Sequence, residues 1–154
     1  MLVLASKSKG RKELLQRSGI EFKIMASNFD EDEIIDKTPT SLVQKLSYKK
    51  AEAVGLRIVT EGLDDNFNNK VQAVLGCDSL FEFKGEIFGK PRSKEEALTR
   101  WKMMSSSYGI LHTGHSLIFR PKSDENVVTC PDFKGMITEV ISTKVHFAKL
   151  SDIE

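Results

Sequence analysis

The fold is constrained most by a run of five apolar residues, Ala73-Val74-Leu75-Gly76-Cys77. Its shortness and the lack of helical spacing are typical of a central strand that is buried on both faces of a sheet. Residues 1–5 are also apolar and give way at Ser6 to a polar stretch that includes Arg11. This change indicates a turn from another buried strand into a helix. The length of 154 residues then predicts one α/β domain with a substantial core.

The other elements are predicted from periodicity, turn residues and capping signals. Residues Ser151–Glu154 have capping-box spacing, so a helix is expected to begin there. The predicted helices are a first helix that ends near Ser18 with Gly19 as its cap, a helix over Thr40–Val54 that Gly55 ends, and a helix over Ser93–Ser105. The predicted strands are Glu21–Ala26 and two long strands, Ile110–Phe119 and Gly135–Phe147, joined by a polar loop. A surface loop is predicted over Glu61–Lys70, and a tight turn at Lys84-Gly85 that returns through Glu86–Phe88.

The charge balance argues against a polyanionic partner. Lys and Arg number 23 and Asp and Glu number 22, so the net charge is +1 and no long-range field draws the chain to nucleic acid or acidic lipid. A small anionic ligand in a local basic pocket fits better. The apolar start ends at Ser6, too early for a signal peptide or membrane span, which predicts a cytosolic protein. Cys77 and Cys130 lack metal-ligand spacing and are expected to be reduced thiols.

A phosphate site is one interpretation of the segment Ser6-x-Ser8-x-x-Arg11. Free N–H groups at a helix N-terminus, two hydroxyls and a guanidinium could converge there on a phosphate. The other interpretation is that Ser8 only caps the helix and Arg11 is a solvated surface charge. The local sequence leaves both open.

Asp78 directly follows the apolar run, so its carboxylate is expected at the end or within the pleat of a central strand. An unpaired charge there costs several kcal/mol, so the carboxylate needs a partner. A divalent cation would serve, because hard cations prefer carboxylate oxygens. Alternatively, Asp78 accepts backbone N–H bonds in a turn.

Two lysines are further candidates. Lys50 falls on the apolar stripe of its helix between Leu46 and Val54, where an inward ammonium would need an anion. The alternative is that Lys50 extends to the surface and keeps only its stem buried. Lys90 precedes Pro91, which favours an extended backbone, so its side chain could project from a strand end.

Other polar residues carry weaker signals. Glu31 belongs to the acidic loop Asn28–Glu33, which could close over a metal, although such loops are usually just solvated. His112, His115 and His146 lie in predicted strands without metal-binding spacing and are interpreted as structural. No basic face alternates with aromatic residues and no zinc spacing appears, so DNA recognition is not expected.

Short motifs spread along the whole chain match a known family in content, order and spacing. They are Leu4-Ala5-Ser6-x-Ser8-x-x-Arg11-x-Glu13-Leu14-Leu15, Phe29-Asp30-Glu31, Lys50-Ala51, Gly76-Cys77-Asp78-Ser79, Gly85-Glu86-x-x-x-Lys90-Pro91, Thr113-Gly114 and Ser142-Thr143-x-Val145-x-Phe147. Together they resemble the Maf-like family over essentially all of the sequence.

That resemblance implies an α/β fold akin to the inosine triphosphate pyrophosphatases, with an elongated mixed β-sheet flanked by helices and a cleft between two lobes. It implies hydrolysis of nucleoside triphosphates, standard or modified, to a monophosphate and pyrophosphate with Mg²⁺ or Mn²⁺. Asp78 would accept the proton or hold the metal that activates water, and Glu31 would help to hold the cation. The residues implied in triphosphate binding are Ser6, Ser8, Arg11, Lys50 and Lys90.

The main alternative is a regulator of cell division or septum formation that binds nucleotide without turnover, because the family has also been linked to septum arrest. A plain nucleotide-binding module is a further alternative. The resemblance also suggests a homodimer, since members of the family often dimerise, although no stretch of this sequence marks an interface.

The sequence departs from the family pattern in two places. Gly10 stands where a phosphate-binding arginine is usual, with Lys7 or Lys9 as candidate substitutes. The family also continues past Glu154 with a region that completes the sheet and the active site. We therefore expect residues 1–154 to form a single Maf-like domain that lacks its C-terminal segment, and we expect a sheet edge that is exposed and favours pairing with another chain.

Overall fold

One mixed β-sheet organises the protein. The computed structural model describes residues 1–31, 34–61, 65–89, 91–121 and 133–149. Among the described helices, none is long and apolar enough to cross a membrane. In chain order the elements are β1 (Leu2–Leu4), α1 (Lys9–Arg17), β2 (Phe22–Ile24), α2 (Pro39–Thr60), α3 (Asp65–Lys70), β3 (Ala73–Phe83), β4 (Glu86–Phe88), α4 (Lys94–Met104), β5 (Tyr108–Phe119) and β6 (Gly135–His146). The predicted mixed α/β architecture is confirmed.

Strand β3 connects the parallel and antiparallel parts of the sheet. The strand order is β2-β1-β3-β5-β6, and β4 also pairs with β3. On one side of β3, residues 73–75 pair with β1 in parallel and residues 81–83 pair with β4 in antiparallel register. On that same edge, residues 76–80 lie between the two pairings and have no strand partner among the described residues. The long ribbons β3–β5 and β5–β6 are antiparallel on the other side.

Helix α2 lies directly on the backbone of β3 and β5. A Cβ atom added to Gly76 would approach the carbonyl oxygen of Ser47 closer than 3.0 Å, and one added to Gly114 would approach that of Val43 equally closely. Only glycine leaves room for this contact, so the two glycines set the distance between helix and sheet. The main core cluster lies beside this contact and contains Val3, Ala5, Ala51, Val54, Ile58, Val71, Val74 and Ile118.

The predicted end of α2 was wrong. The sequence predicted a helix over Thr40–Val54 that Gly55 ends, whereas the helix runs over Pro39–Thr60. Gly55 is buried in the helix, and a Cβ atom there would lie 2.6 Å from Cδ1 of Ile118. The glycine therefore provides space for packing and is not a stop signal. Burial of Ile58 one turn later continues the helix face.

The segment Glu61–Lys70, predicted as a surface loop, contains the short helix Asp65–Lys70. Its Phe67 is partly buried against the main core, and the carbonyl oxygen of Phe67 accepts a hydrogen bond from the N–H of Val71. Long-range packing of one aromatic ring thus favours helix in a sequence whose Asp and Asn content is typical of loops.

The local turn and cap signals were reliable. Lys84 and Gly85 have φ values of 52° and 82°, as the predicted tight hairpin turn requires. Gly19 follows α1 with φ of 70°, and the Ser93 hydroxyl accepts a hydrogen bond from the N–H of Glu96. Residues 122–132 of the predicted loop between β5 and β6, and the helix start at Ser151–Glu154, fall outside the described residues.

We predict that Gly114→Ala lowers the free energy of unfolding by about 3 kcal/mol, because the methyl group meets helix backbone that cannot move aside. Urea denaturation measures the change. Gly10→Ala is the control: Gly10 lies in α1 with nothing within 4 Å of an added Cβ atom, so stability should stay level or rise by up to about 1 kcal/mol. Equal stability of the two variants would contradict the close approach of α2 to the sheet.

Candidate active site

A cleft of about 750 Å³ opens at the unpaired edge of β3. Its walls come from the β1–α1 connection, the loop after β2, the inner face of α2 and β3 itself. The lining residues are Ala5, Ser6, Lys7, Ser8, Arg11, Ala26, Ser27, Asn28, Phe29, Glu31, Lys50, Asp78, Ser79, Leu80 and Gly89. Segments that are far apart in sequence thus meet beside the part of β3 that lies between its pairing with β1 and its pairing with β4.

The start of α1 forms one wall of the cleft, where Ser8 caps the helix and the Arg11 side chain is held by the protein. Ser8 caps the helix, since its hydroxyl accepts a hydrogen bond from the N–H of Arg11 at 3.4 Å. The Arg11 side chain is not a solvated surface charge: its Nη1 donates to Oγ of Ser6 at 3.1 Å and to the carbonyl oxygen of Cys77 at 2.9 Å. Its Nη2 donates to Oγ of Ser79 at 3.0 Å. Three hydrogen bonds therefore hold the guanidinium at the cleft.

An ammonium between two carboxylates forms the floor of the cleft. Lys50 and Asp78 are 8% and 6% exposed, and Lys50 Nζ donates to Oδ1 of Asp78. The same Nζ lies 2.8 Å from Oε1 of Glu31, whose side chain is 55% exposed. The inward Lys50 therefore has its anion, and Asp78, inside β3 and not at a turn, has a partner that the sequence had not identified.

Most of the site residues predicted from the sequence meet in this cleft. Lys90, which was also predicted to bind the triphosphate, falls outside the described residues. Of the two candidate substitutes for the arginine at Gly10, Lys7 lines the cleft and Lys9 is not among the lining residues. The predicted residues that converge are Ser6, Ser8, Arg11, Glu31, Lys50 and Asp78.

Sequence reasoning missed a hydroxyl pair beside the cleft. Ser79 and Thr113 lie opposite each other on β3 and β5, with 3.0 Å between Oγ and Oγ1. Both residues occur in the motifs quoted above, but the sequence gave no reason to pair them. They are 34 positions apart, and only the strand register brings them together.

The loop after β2 is a further wall of the cleft. Its residues from Asn28 onward had been predicted to close over a metal, whereas Ser27 was missed as part of the cleft. Ser27, Asn28 and Phe29 line it, and Nη1 of Arg57 on α2 donates to the carbonyl oxygen of Ala26 at 3.0 Å. That contact ties the loop to the helix that carries Lys50. The sequence gives no signal for this contact, because a basic residue in the last turns of a long helix usually has no specific partner.

Neither the buried thiol nor the neighbouring histidine is set up for nucleophilic chemistry. Burial raises the pKa of the Cys77 thiol, which keeps it neutral at pH 7. Burial also lowers the pKa of His115, so this imidazole is neutral there too. His112 forms hydrogen bonds with Oγ of Ser142 and Oε2 of Glu82, each at 2.8 Å, in keeping with a structural role. Cys130 falls outside the described residues.

The donor set at the floor fits a divalent cation. Among the described residues, no group of three or more His, Cys, Asp or Glu side chains converges, so a closed protein cage is not formed there. Glu31 and Asp78 nevertheless both contact the Lys50 ammonium, so the two carboxylates lie on either side of a single positive group. Two carboxylates that leave the other ligand positions open are typical of Mg²⁺ held jointly with substrate phosphates.

Comparison with known proteins identifies the family. The profile of the family described as Maf-like protein matches residues 1–154. The chain belongs to the Maf-like family. The Maf-like assignment made from the sequence motifs is therefore confirmed.

Curated relatives of this Maf-like chain carry one name. A protein of Prochlorococcus marinus strain MIT 9215 is 46% identical over all of this chain and 74% of its own length, and is named nucleoside triphosphate pyrophosphatase. A relative from strain SARG of that species is 44% identical and a relative from Synechococcus sp. strain CC9311 is 41% identical. Both bear the same name, are matched over all of this chain, and are covered over 72% and 74% of their own lengths.

Among solved structures, the Ham1 protein of Staphylococcus aureus is similar to this Maf-like chain with a TM-score of 0.43 and 16% identity. The match covers 92% of this chain and 69% of that one.

We predict that Lys50→Met lowers the free energy of unfolding by about 3 to 5 kcal/mol, because the buried Asp78 carboxylate loses its countercharge. Asp78→Asn in the same background should recover part of this loss. Glu31→Gln should cost less than about 1 kcal/mol, since its carboxylate is largely exposed. Urea denaturation of the three variants and the double variant measures these changes; purely additive effects of Lys50→Met and Asp78→Asn would refute a coupled pair.

Proposed function

We propose that this Maf-like protein hydrolyses nucleoside triphosphates to a nucleoside monophosphate and pyrophosphate. The observation that carries the proposal is the buried contact of Lys50 with Asp78 at the floor of a cleft whose wall holds Arg11. Such a cleft offers both a proton acceptor and fixed positive charge. The shared name of the relatives, all matched over the whole of this chain, supports the same reaction.

The positive groups of the cleft suit a triphosphate. Lys7, Arg11 and Lys50 line it, and the first-turn N–H groups of α1 lack partners within their own helix. Three of the five guanidinium N–H donors of Arg11 are used by hydrogen bonds to the protein. Within the described ranges the remaining two donors have no acceptor, so they can form charge-assisted hydrogen bonds with phosphate oxygens.

In the proposed reaction, water attacks the α-phosphorus and the bond from that phosphorus to the bridging oxygen of pyrophosphate breaks. The Asp78 carboxylate accepts the proton that the water loses, since it lies at the floor of the cleft beside Lys50. Lys50 then balances the growing negative charge on the phosphate chain. Arg11 keeps the departing pyrophosphate bound until the bond is broken.

A divalent cation, Mg²⁺ or Mn²⁺, is part of the proposal, with Glu31 and Asp78 as its protein ligands. When bound, such an ion neutralises the phosphate oxygens and makes the phosphorus more open to attack. The convergence of two carboxylates on one ammonium supports this choice of ligands.

We predict metal-dependent release of pyrophosphate, and not of orthophosphate, from a panel of nucleoside triphosphates with Mg²⁺ or Mn²⁺. Asp78→Asn should lower kcat by at least about 100-fold, because the general base is lost. Unfolding curves of both proteins verify that the variant is folded. Triphosphate binding without turnover by the folded wild-type chain would refute the proposal and favour the nucleotide-binding regulator of cell division.

We also predict that Glu31→Gln weakens Mn²⁺ binding about tenfold, because one anionic oxygen ligand is lost. Electron paramagnetic resonance of free Mn²⁺, with a non-hydrolysable triphosphate present, gives the dissociation constant. Glu139→Gln changes an exposed carboxylate on β6 outside the cleft and is the matched control. Equal Mn²⁺ affinity of wild type and Glu31→Gln would exclude Glu31 as a ligand.

A cytosolic location and a homodimer belong to the same proposal. The expectation that Cys77 and Cys130 are reduced thiols is in keeping with the first, and the family resemblance supports the second. A link to cell division rests on the family resemblance alone.

A further inference from the structure

The hydroxyl pair of Ser79 and Thr113 is connected to the substrate-binding wall through one hydrogen bond. Oγ of Ser79 accepts from Nη2 of Arg11 at 3.0 Å and lies 3.0 Å from Oγ1 of Thr113. Ser79 is exposed at the cleft, and Thr113 is half-buried behind it and outside the lining. A continuous path of hydrogen bonds thus runs from the middle of β5 to the guanidinium.

The Arg11 fork is held through both of its terminal nitrogens. Nη1 donates to Ser6 and to the Cys77 carbonyl oxygen. Within the described part of the chain, Ser79 supplies the contact to Nη2. A serine hydroxyl on an exposed strand edge rotates freely unless a second partner fixes it. Thr113, directly opposite on the neighbouring strand, is that partner.

We propose that Thr113 is a positioning residue for triphosphate binding. It holds the Ser79 hydroxyl in place, and through it keeps the two unused N–H donors of Arg11 directed at the phosphates. This inference rests on the proposed function. Arginine loses considerable rotamer freedom when it binds a ligand, so fixing its fork beforehand lowers the cost of binding.

Loss of the Thr113 hydroxyl should therefore affect affinity and not the chemical step. Arg11 contacts the phosphate chain in the bound state as well as in the transition state, and an interaction common to both changes KM while kcat stays constant. We expect Thr113→Val to raise KM for the triphosphate about fivefold, the effect of one neutral hydrogen bond. Thr113→Ser keeps a hydroxyl and should restore the wild-type KM.

The sheet offers a matched control. Thr138 on β6 also pairs its hydroxyl with a serine of β5, since its Oγ1 lies 3.2 Å from Oγ of Ser116. Neither residue lines the cleft. Thr138→Val removes the same atoms from the same type of contact, so it reports what a purely structural hydroxyl pair is worth. Its KM and kcat should equal those of the wild type.

The experiment has two parts. The first determines KM and kcat for Thr113→Val, Thr113→Ser and Thr138→Val, and repeats Thr113→Val in a Ser79→Ala background. In the Ser79→Ala background, adding Thr113→Val should not change KM further, because the hydrogen-bond path is already broken at Ser79. An unchanged KM in Thr113→Val, or an equal rise of KM in the Ser79→Ala background, would overturn the proposal.

The second part needs no turnover. In the nuclear magnetic resonance spectrum of the free protein, the Nε–H signal of Arg11, assigned through its loss in Arg11→Lys, reports the order of this side chain. Thr113→Val should lower its heteronuclear Overhauser effect and Thr138→Val should not. If Arg11 loosens but the wild type hydrolyses no triphosphate, the positioning role stands and the proposed function fails. If Arg11 stays ordered, the positioning role itself is wrong.

Discussion

The contact between Lys50 and Asp78 determines much of what this protein can do. A lysine and an aspartate that are both more than nine-tenths buried cannot be separated without leaving an uncompensated charge. The contact exists because α2 lies directly on the sheet, which in turn requires glycine at positions 76 and 114. The same packing therefore fixes the core and places a charged pair at the floor of a cleft.

The cleft itself results from the way β3 is paired. Its first part pairs with β1 and its last part pairs with β4, so the middle of that edge has no strand partner in the described ranges. The connection from β1 to α1 passes over this gap, and Arg11 reaches across it to the Cys77 carbonyl oxygen. A backbone acceptor left without a strand partner is thus satisfied by a side chain that also lines the cleft.

Local signals predicted most of the fold. Hairpin turn, helix caps and apolar runs depend on neighbours within a few residues, and these were recovered at Lys84-Gly85, Ser93 and Ala73–Cys77. The errors concern residues whose role depends on distant partners. Gly55 looked like a helix stop because its contact with Ile118, 63 positions later, is invisible in the sequence.

The sequence by itself supplied the residue types that the proposed reaction needs. The order and spacing of its short motifs identified the Maf-like family, because such motifs can be recognised without knowing which residues are in contact. Its helical spacing also placed Lys50 on the apolar stripe of α2, but left open whether the side chain points inward or extends to the surface. Only the tertiary structure decided that Asp78 is the partner of Lys50, that Arg11 turns inward, and that Ser79 meets Thr113. Each of these depends on strand register or on the distance between helix and sheet, which are set by packing over the whole chain.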